Sequence, residues 1–177
     1  MRTAVVTAGA VLAGIVFTGP LLAGPDRVTW PANFDTEYVL YNIVYNGQNQ
    51  RLRMLYVNPE ADAAARSGEL APNGTILVMV DRAAQLDANG LPILDENGMY
   101  VSEGEILGNV FVMEKQDGWG VTLGLDVVQN GDWDYATFTV DGTLRDNPTT
   151  GCFACHANRP QRDFNFTYFK TVEDRGS

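Results

Sequence analysis

The chain has 177 residues, of which 22 are acidic and 12 are lysine or arginine, so its formal net charge at pH 7 is −10. This acidity argues against a surface that binds nucleic acid or anionic lipid, and it favours cationic or neutral partners. Once an N-terminal export signal is set aside, about 150 residues remain, which is the size of one ordinary domain.

Residues 1–24 have the composition of a secretory signal peptide. Arg2 gives a short positive start, Ala4 to Phe17 form an apolar run, and Gly19-Pro20 interrupt it before it is long enough to span a membrane. We therefore expect a periplasmic protein with a single domain at residues 25–177 and no stable membrane insertion after signal cleavage. An uncleaved N-terminal anchor is the alternative.

Most of the remaining chain is typical of β-structure. Runs of β-branched and aromatic residues between turn signals predict strands. The predicted strands are Tyr38–Tyr45, Arg51–Val57, Gly74–Val80, Ile106–Met113, Val121–Val128 and Trp133–Val140. In the second strand Arg53 shares a face with Leu55 and Val57, which fits a pocket arginine or an ordinary strand edge. The acidic segment from Asp87 to Gly98 is better explained by turn chemistry than by a calcium loop.

Two short helices are predicted. Asn58-Pro59-Glu60 opens the first, which Gly68 can end. The second carries Cys152 to His156 and ends before Arg159-Pro160. Asp163 to Tyr168 alternates polar and aromatic residues, which predicts a final strand or aromatic packing against a cofactor. The fold class is therefore mainly β (α+β): an antiparallel sheet or sandwich with one or two helices to one side, the second short and C-terminal.

The strongest motif is Cys152-Phe153-Ala154-Cys155-His156, which reads Cys-x-x-Cys-His, the attachment sequence for haem c. The two thiols can each form a thioether to the porphyrin, and the imidazole can then ligate the iron. The chain has two cysteines and one histidine, all of them here. A zinc site needs about four ligands. We therefore predict haem c attached at Cys152 and Cys155, with His156 as the iron ligand.

The second axial position of that iron has several candidate occupants. Met79 is the first candidate ligand, with Met54 and Met113 behind it, although methionine is also a common core filler. A vacant position would admit NO, CO, peroxide or hydroxylamine, whereas a methionine ligand would favour electron transfer. Arg53 can donate hydrogen bonds to a bound ligand or pair with a propionate, and it can equally be a surface charge.

Other side chains are candidates for the surroundings of the haem. Phe111, Tyr41 and Phe166 are candidates for an apolar pocket wall, which would select small neutral ligands, although aromatic residues are usually core. Asp163 can accept a hydrogen bond from the proximal imidazole or from the local backbone, or it can serve as a cap or turn residue.

Seven stretches spread along the chain match one known family. They are Arg53 to Glu60, Ser67-Gly68-Glu69, Asn73 to Val78, Gly108 to Lys115, Gly131-Asp132-Trp133, Cys152 to His156 and Asp163 to Thr167. In their order and spacing they resemble the cytochrome P-460 / cytochrome c′-β family. The resemblance implies a mostly antiparallel β fold, often dimeric, with a five-coordinate haem c that binds or processes small nitrogen species.

Two positions depart from the hydroxylamine-oxidising members of that family. Their porphyrin-linked lysine is replaced here by Met79, which cannot form the amine cross-link. Their pocket carboxylate falls at Asn109 or Val110, neither of which is acidic. Their pocket arginine is matched by Arg53.

These features together predict a periplasmic mono-haem c cytochrome with five-coordinate, histidine-ligated iron that binds small ligands such as NO. One alternative is an oxidoreductase acting on hydroxylamine, NO or peroxide at the same haem, and another is a Met79-ligated electron-transfer cytochrome. The expected partners are a small gaseous or N-oxide ligand, a redox partner protein and a second copy of the chain in a homodimer.

Overall fold

The computed structural model describes residues 25–120 and 129–175. Its helices are α1 (Phe34–Glu37), α2 (Pro59–Arg66), α3 (Thr150–His156) and α4 (Tyr168–Arg175), with short 3₁₀ turns at Pro25–Arg27 and Pro160–Arg162. Its strands are β1 (Val39–Asn46), β2 (Arg51–Val57), β3 (Ile76–Ala84), β4 (Ser102–Glu103), β5 (Val110–Lys115) and β6 (Trp133–Phe138). The signal predicted at residues 1–24 and the strand predicted at Val121–Val128 lie outside the described residues.

The described strands form one sheet in the order β1-β2-β3-β5-β6, with β4 paired to the end of β3. Every pairing is antiparallel, and the helices lie beside the sheet. The predicted mainly β, α+β class is therefore confirmed, including a short helix near the C-terminus, although α1 and α4 were not predicted. Within the described ranges, no helix is both long and apolar enough to cross a membrane.

Strand boundaries follow the sequence closely where the alternation is uninterrupted. The prediction for β2 is correct at both ends. The strand predicted from Ile106 begins only at Val110, because Gly108 within the predicted range has a φ of 86°, which breaks the extended backbone. β6 ends at Phe138 because the chain turns back immediately afterwards, and the N–H of Thr139 donates to the carbonyl of Thr143.

Two similar turns occupy the segment between β3 and β4. The Asp87 carboxylate accepts hydrogen bonds from the backbone N–H groups of Asn89 and Leu91, at 2.8 and 2.9 Å. Asp95 closes the second turn in the same way. These bonds lower the pKa of the Asp87 carboxyl, the bond from Leu91 contributing most. Turn chemistry therefore accounts for this acidic segment, as predicted.

The sheet carries an apolar core on each face. On one face the N-terminal segment and α1 pack against a cluster that includes Leu52, Met54, Tyr56, Val78 and Val112. On the other, which we call the helix face, side chains of α2, α3 and α4 pack against Val57, Leu77, Met113 and Tyr135. Because alternate residues of a strand point to opposite faces, Arg53 and Leu55 of β2 share the helix face with Val57. Helix α3, which bears the Cys-x-x-Cys-His motif, packs against this helix face through Phe153.

One hydrogen bond ties two of the covering helices together and generates a stability prediction. Tyr168 in α4 is fully buried, and its hydroxyl donates to the carbonyl of Ala61 in α2 at 2.8 Å. We expect Tyr168→Phe to lower the free energy of unfolding by about 1 kcal/mol, because a buried carbonyl loses a hydrogen bond while the ring still packs. Tyr100→Phe is the control, since its ring packs on Tyr45 and its hydroxyl has no protein partner within the described ranges. Equal losses in urea unfolding would contradict this account.

Candidate functional site

The motif helix α3 is anchored to the sheet through its central residue. The Phe153 side chain is buried, and its ring meets that of Tyr135 edge-on with 4.7 Å between centroids. The Phe153 carbonyl accepts a hydrogen bond from the side-chain amide of Asn130 at 3.1 Å, and the same amide donates to the Tyr135 hydroxyl at 2.8 Å. Cys152 on one side of Phe153 is half-buried, and Cys155 is exposed.

The two cysteines are available for covalent chemistry. Neither forms a disulfide, and residues three apart on a helix lie side by side, so both thiols can reach the edge of one ligand. Burial raises the pKa of the Cys152 thiol. No cluster of three or more His, Cys, Asp or Glu side chains fit to hold a metal ion occurs in residues 25–120 and 129–175. Two thiols and one imidazole on adjacent turns suit a tethered macrocycle better than a bare tetrahedral ion.

The ring of His156 is held in one orientation and one tautomer. It lies between Tyr135 and Phe166, each with its ring centroid 5.0 Å away. Its Nδ1 is 2.6 Å from the carbonyl oxygen of Phe164. A carbonyl only accepts hydrogen bonds, so Nδ1 carries the proton and Nε2 keeps its lone pair. Burial lowers the pKa of His156 in spite of this hydrogen bond, which favours the neutral imidazole that a metal requires.

Asp163 does not accept the hydrogen bond of the imidazole, so that prediction is wrong. The carbonyl of the next residue, Phe164, takes this place. The Asp163 carboxylate instead pairs with Lys115 on β5, with 2.8 Å between Nζ and Oδ2, and Lys115 also donates to the Ala71 carbonyl at 2.9 Å. Asp163 is a turn residue, as the alternative predicted.

The segment after α3 is a tight turn rather than the strand that its alternating pattern allowed. Asp163 and Phe164 both have positive φ, 48° and 59°, which reverses the chain. Each non-glycine residue in this region costs about 1 kcal/mol or more. The buried Asn165 ties the turn down, because its side chain donates to the Asp163 carbonyl at 3.3 Å and accepts from the N–H of Phe169 at 2.7 Å. Phe166 packs its ring against His156, and the alternative prediction, aromatic packing against the cofactor, stays a prediction.

A second row of side chains crosses the helix face beside the row that the helices cover. We call it the middle row, and strand register places Leu55, Met79, Phe111 and Thr137 in it. Met79 and Phe111 are only half-buried, although β3 and β5 are interior strands of the sheet. The helices pack on the neighbouring row, which ends in Tyr135. Leu55 and Thr137 at the two ends of this row are buried, so the part that a flat apolar group could cover is the apolar surface of Met79 and Phe111.

Arg53 lies one row further along the same face and is already engaged. Its guanidinium forms a two-pronged ion pair with Asp81 of β3, at 3.0 and 3.2 Å. This hydrogen bonding raises the pKa of Arg53, and its side chain is 49% exposed. The structure thus brings Arg53 and Met79 to one face. Asp81 was not singled out, although its place two residues after Met79 on a strand is the signal that could have found it.

The predicted wall aromatics have different surroundings. Phe111 lies in the middle row, and Phe166 touches the His156 ring. Tyr41 instead packs edge-on against Tyr168 at 5.4 Å, and its hydroxyl lies 3.2 Å from that of Thr167. Burial raises the pKa of Tyr41 to about 12. This residue belongs to the core beneath α4.

The Cys-x-x-Cys-His motif and the antiparallel sheet that carries it indicate a class of protein, the haem c cytochromes. The family model described as Cytochrome P460 matches residues 31–167, so the chain belongs to the cytochrome P460 family and the resemblance is confirmed. The family accounts for haem c as the cofactor. No curated protein matches the chain.

The position of Gly131 beside the Phe164 ring leads to a prediction about stability. Its φ is +59°, and a Cβ there would lie 3.2 Å from the Phe164 ring. We expect Gly131→Ala to lower the free energy of unfolding by about 2 kcal/mol, because left-handed backbone strain and crowding of Phe164 add. The control is Gly98→Ala, where φ is +78° and no atom lies within 4 Å, so that a loss of about 1 kcal/mol is expected. If urea unfolding shows that both variants lose the same free energy of unfolding, the Phe164 ring moves aside without an energetic penalty, and this prediction is wrong.

Proposed function

We propose that this protein is a periplasmic mono-haem c cytochrome whose iron is five-coordinate and binds a small ligand such as NO. Cys152 and Cys155 would carry the thioethers, and Nε2 of His156 would ligate the iron. The observation that carries the proposal is the imidazole itself, with Nδ1 held 2.6 Å from the Phe164 carbonyl oxygen beside two unpaired thiols. The bound haem would supply a redox-active iron with affinity for diatomic and N-oxide ligands.

The surroundings of the imidazole support a fixed axial ligand. Tyr135 and Phe166 contact its ring, and the Phe164 carbonyl keeps the proton on Nδ1. Such outer contacts fix the tautomer and raise the basicity of a metal-ligating histidine. The chain contains no second histidine, so a second imidazole ligand would have to come from another molecule.

The middle row supports a binding function over an oxidase function. Met79 and Phe111 are half-buried and present apolar surface beside the buried Leu55, which favours small neutral ligands over anions. Arg53 is held by Asp81 through Nε and Nη2, so a hydrogen bond to a ligand would come from the other N–H groups of its guanidinium. Met79 stands where the hydroxylamine-oxidising members carry their cross-linking lysine. Turnover of hydroxylamine, NO or peroxide with an electron acceptor would overturn this choice and assign an oxidoreductase activity to the same haem.

A second candidate function is electron transfer with Met79 as the other axial ligand. The half-buried position of Met79 on an interior strand of the helix face favours it, because a core methionine would be fully covered. A thioether ligand would make the iron low-spin and raise its reduction potential. The acidic net charge of −10 would then favour a basic redox partner.

The proposal includes export and assembly. Residues 1–24 would be cleaved as a signal, leaving residues 25–177 as one haem-bearing domain in the periplasm, where haem c is attached. A homodimer would match the dimeric state that is common in the family that the sequence resembles. N-terminal sequencing and size-exclusion chromatography with light scattering test these two points, and an intact leader or a monomer would contradict them.

Haem attachment is tested by substitution within the motif. In a host that matures c-type cytochromes, we expect wild-type protein to carry one covalent haem by mass spectrometry, and the Cys152→Ser, Cys155→Ser double variant to carry none. His156→Gly is the matched variant, because it keeps both thiols and should retain the covalent mass while losing the axial ligand and altering the absorption spectrum. Apoprotein mass alone in the wild type would overturn the proposal.

The two candidate functions predict different effects of Met79→Ala on the spin state of the ferric iron. If the sixth position is vacant, we expect the ferric EPR spectrum to be high-spin in both wild type and variant, and NO binding to change less than tenfold, since no ligand is displaced. Met113→Ala is the control. Its side chain is 7% exposed in the core, so it should cost about 2–4 kcal/mol of stability without changing the spin state. A low-spin wild-type spectrum that Met79→Ala converts to high-spin would establish the second candidate instead.

A further inference from the structure

We propose that Lys115 is a positioning residue for the axial histidine: through Asp163 it holds the Phe164 carbonyl on Nδ1 of His156 and thereby sets the strength of the iron–histidine bond. The inference rests on the proposed ligation of haem iron by His156. It assigns a role to a lysine at the end of β5, 48 residues before Asp163 in the sequence.

The first step concerns the hydrogen bond itself. The 2.6 Å between Nδ1 and the Phe164 oxygen is slightly shorter than the usual N–H···O hydrogen bond, which begins at about 2.7 Å. A strong bond at Nδ1 draws the proton towards the carbonyl and increases the electron density at Nε2. With haem bound, Nε2 would then donate more strongly to the iron and would favour its ferric state. Any displacement of the carbonyl weakens this donation.

The second step concerns the backbone that presents the carbonyl. Asp163 and Phe164 are consecutive left-handed residues, and neither is glycine. Such a conformation persists only where surrounding contacts impose it. The backbone N–H of Phe164 is bound to the Arg159 carbonyl at 2.8 Å, which closes the turn on itself. That bond does not connect the turn to the sheet.

The third step is the connection that Lys115 supplies. Its Nζ lies 2.8 Å from Asp163 Oδ2 and 2.9 Å from the Ala71 carbonyl, and 5.7 Å from the centroid of the Trp133 ring. The lysine and aspartate side chains are only 19% and 24% exposed, so water screens the pair less than it screens a surface pair. The backbone of Lys115 is fixed as well, because its N–H donates to the Thr75 carbonyl at 2.9 Å. A rigid strand end therefore holds the turn from outside.

The test compares variants of the holoprotein by two readouts, the reduction potential and the ferrous iron–histidine stretching frequency in resonance Raman. Lys115→Met and Asp163→Asn each remove the ion pair, so we expect the potential to rise and the stretching frequency to fall. Lys115→Arg keeps the charge and should restore most of both values. The double variant should shift no further than either single variant, since the two residues act through one contact.

Arg66→Met is the matched control. It removes an ion pair of the same 2.8 Å length, to Asp62 within α2, and should leave both readouts at the wild-type values. A shift in the control as large as that in Lys115→Met would assign the effect to general loosening and overturn the inference. The potential can be read whether the sixth position is vacant or held by Met79.

The outcomes separate this inference from the proposed function. Wild-type protein without covalent haem would overturn the proposed function. Wild-type holoprotein with Lys115→Met unchanged in potential and frequency would overturn only the positioning role. If Lys115→Met gives no folded holoprotein, Asp163→Asn decides by the same readouts, because it leaves the bond from Lys115 to Ala71 in place. Failure of both variants to fold would make the pair purely structural and overturn the inference.

Discussion

The hydrogen bond from His156 to the Phe164 carbonyl is the constraint on which the site depends. The histidine is the last residue of a seven-residue helix, where a side chain would otherwise sample several rotamers and both tautomers. The bond removes the choice of tautomer, and the rings of Tyr135 and Phe166 restrict the plane of the imidazole. The result is a neutral ring with one fixed donor and one free lone pair, which is what a metal ligand needs before the metal arrives.

The sheet supplies the rigidity that a helix of this length lacks. Short helices are marginal on their own and depend on tertiary packing. Here α3 depends on buried Phe153 and on the Asn130 amide that binds its carbonyl. The other two helices on this face, α2 and α4, cover only part of it, which leaves Met79 and Phe111 half-buried. Each Å² of apolar surface removed from water stabilises the folded state by about 25 cal/mol. A flat apolar cofactor that covers this row would therefore also stabilise the fold.

The features that could be predicted are those that depend on residue type and on the spacing of apolar residues along the chain. The Cys-x-x-Cys-His helix and β2 follow from local pattern alone, and the α+β class follows from the number of strands. The role of Phe164 was not predictable, because a backbone carbonyl carries no signal of residue type. The partners of Lys115 and Arg53 lie 48 and 28 residues away and meet them only through the packing of the loop and the register of the strands. Sequence pattern therefore predicts the candidate iron ligand, and tertiary structure supplies the groups that hold its ring in place.

The Arg53–Asp81 pair bears on how one scaffold could serve both binding and turnover. Arg53 is half exposed, so the pair is screened by water and is worth about 1 kcal/mol or less. An incoming ligand with a strong acceptor could draw the guanidinium away at that small cost, whereas a neutral diatomic would leave the pair intact. The difference between a binder and an enzyme on this fold then lies less in the arginine than in the groups beside it. At Met79 this chain offers a thioether, which can pack or ligate but cannot form an amine cross-link or transfer a proton, and the proposed binding function rests in part on that difference.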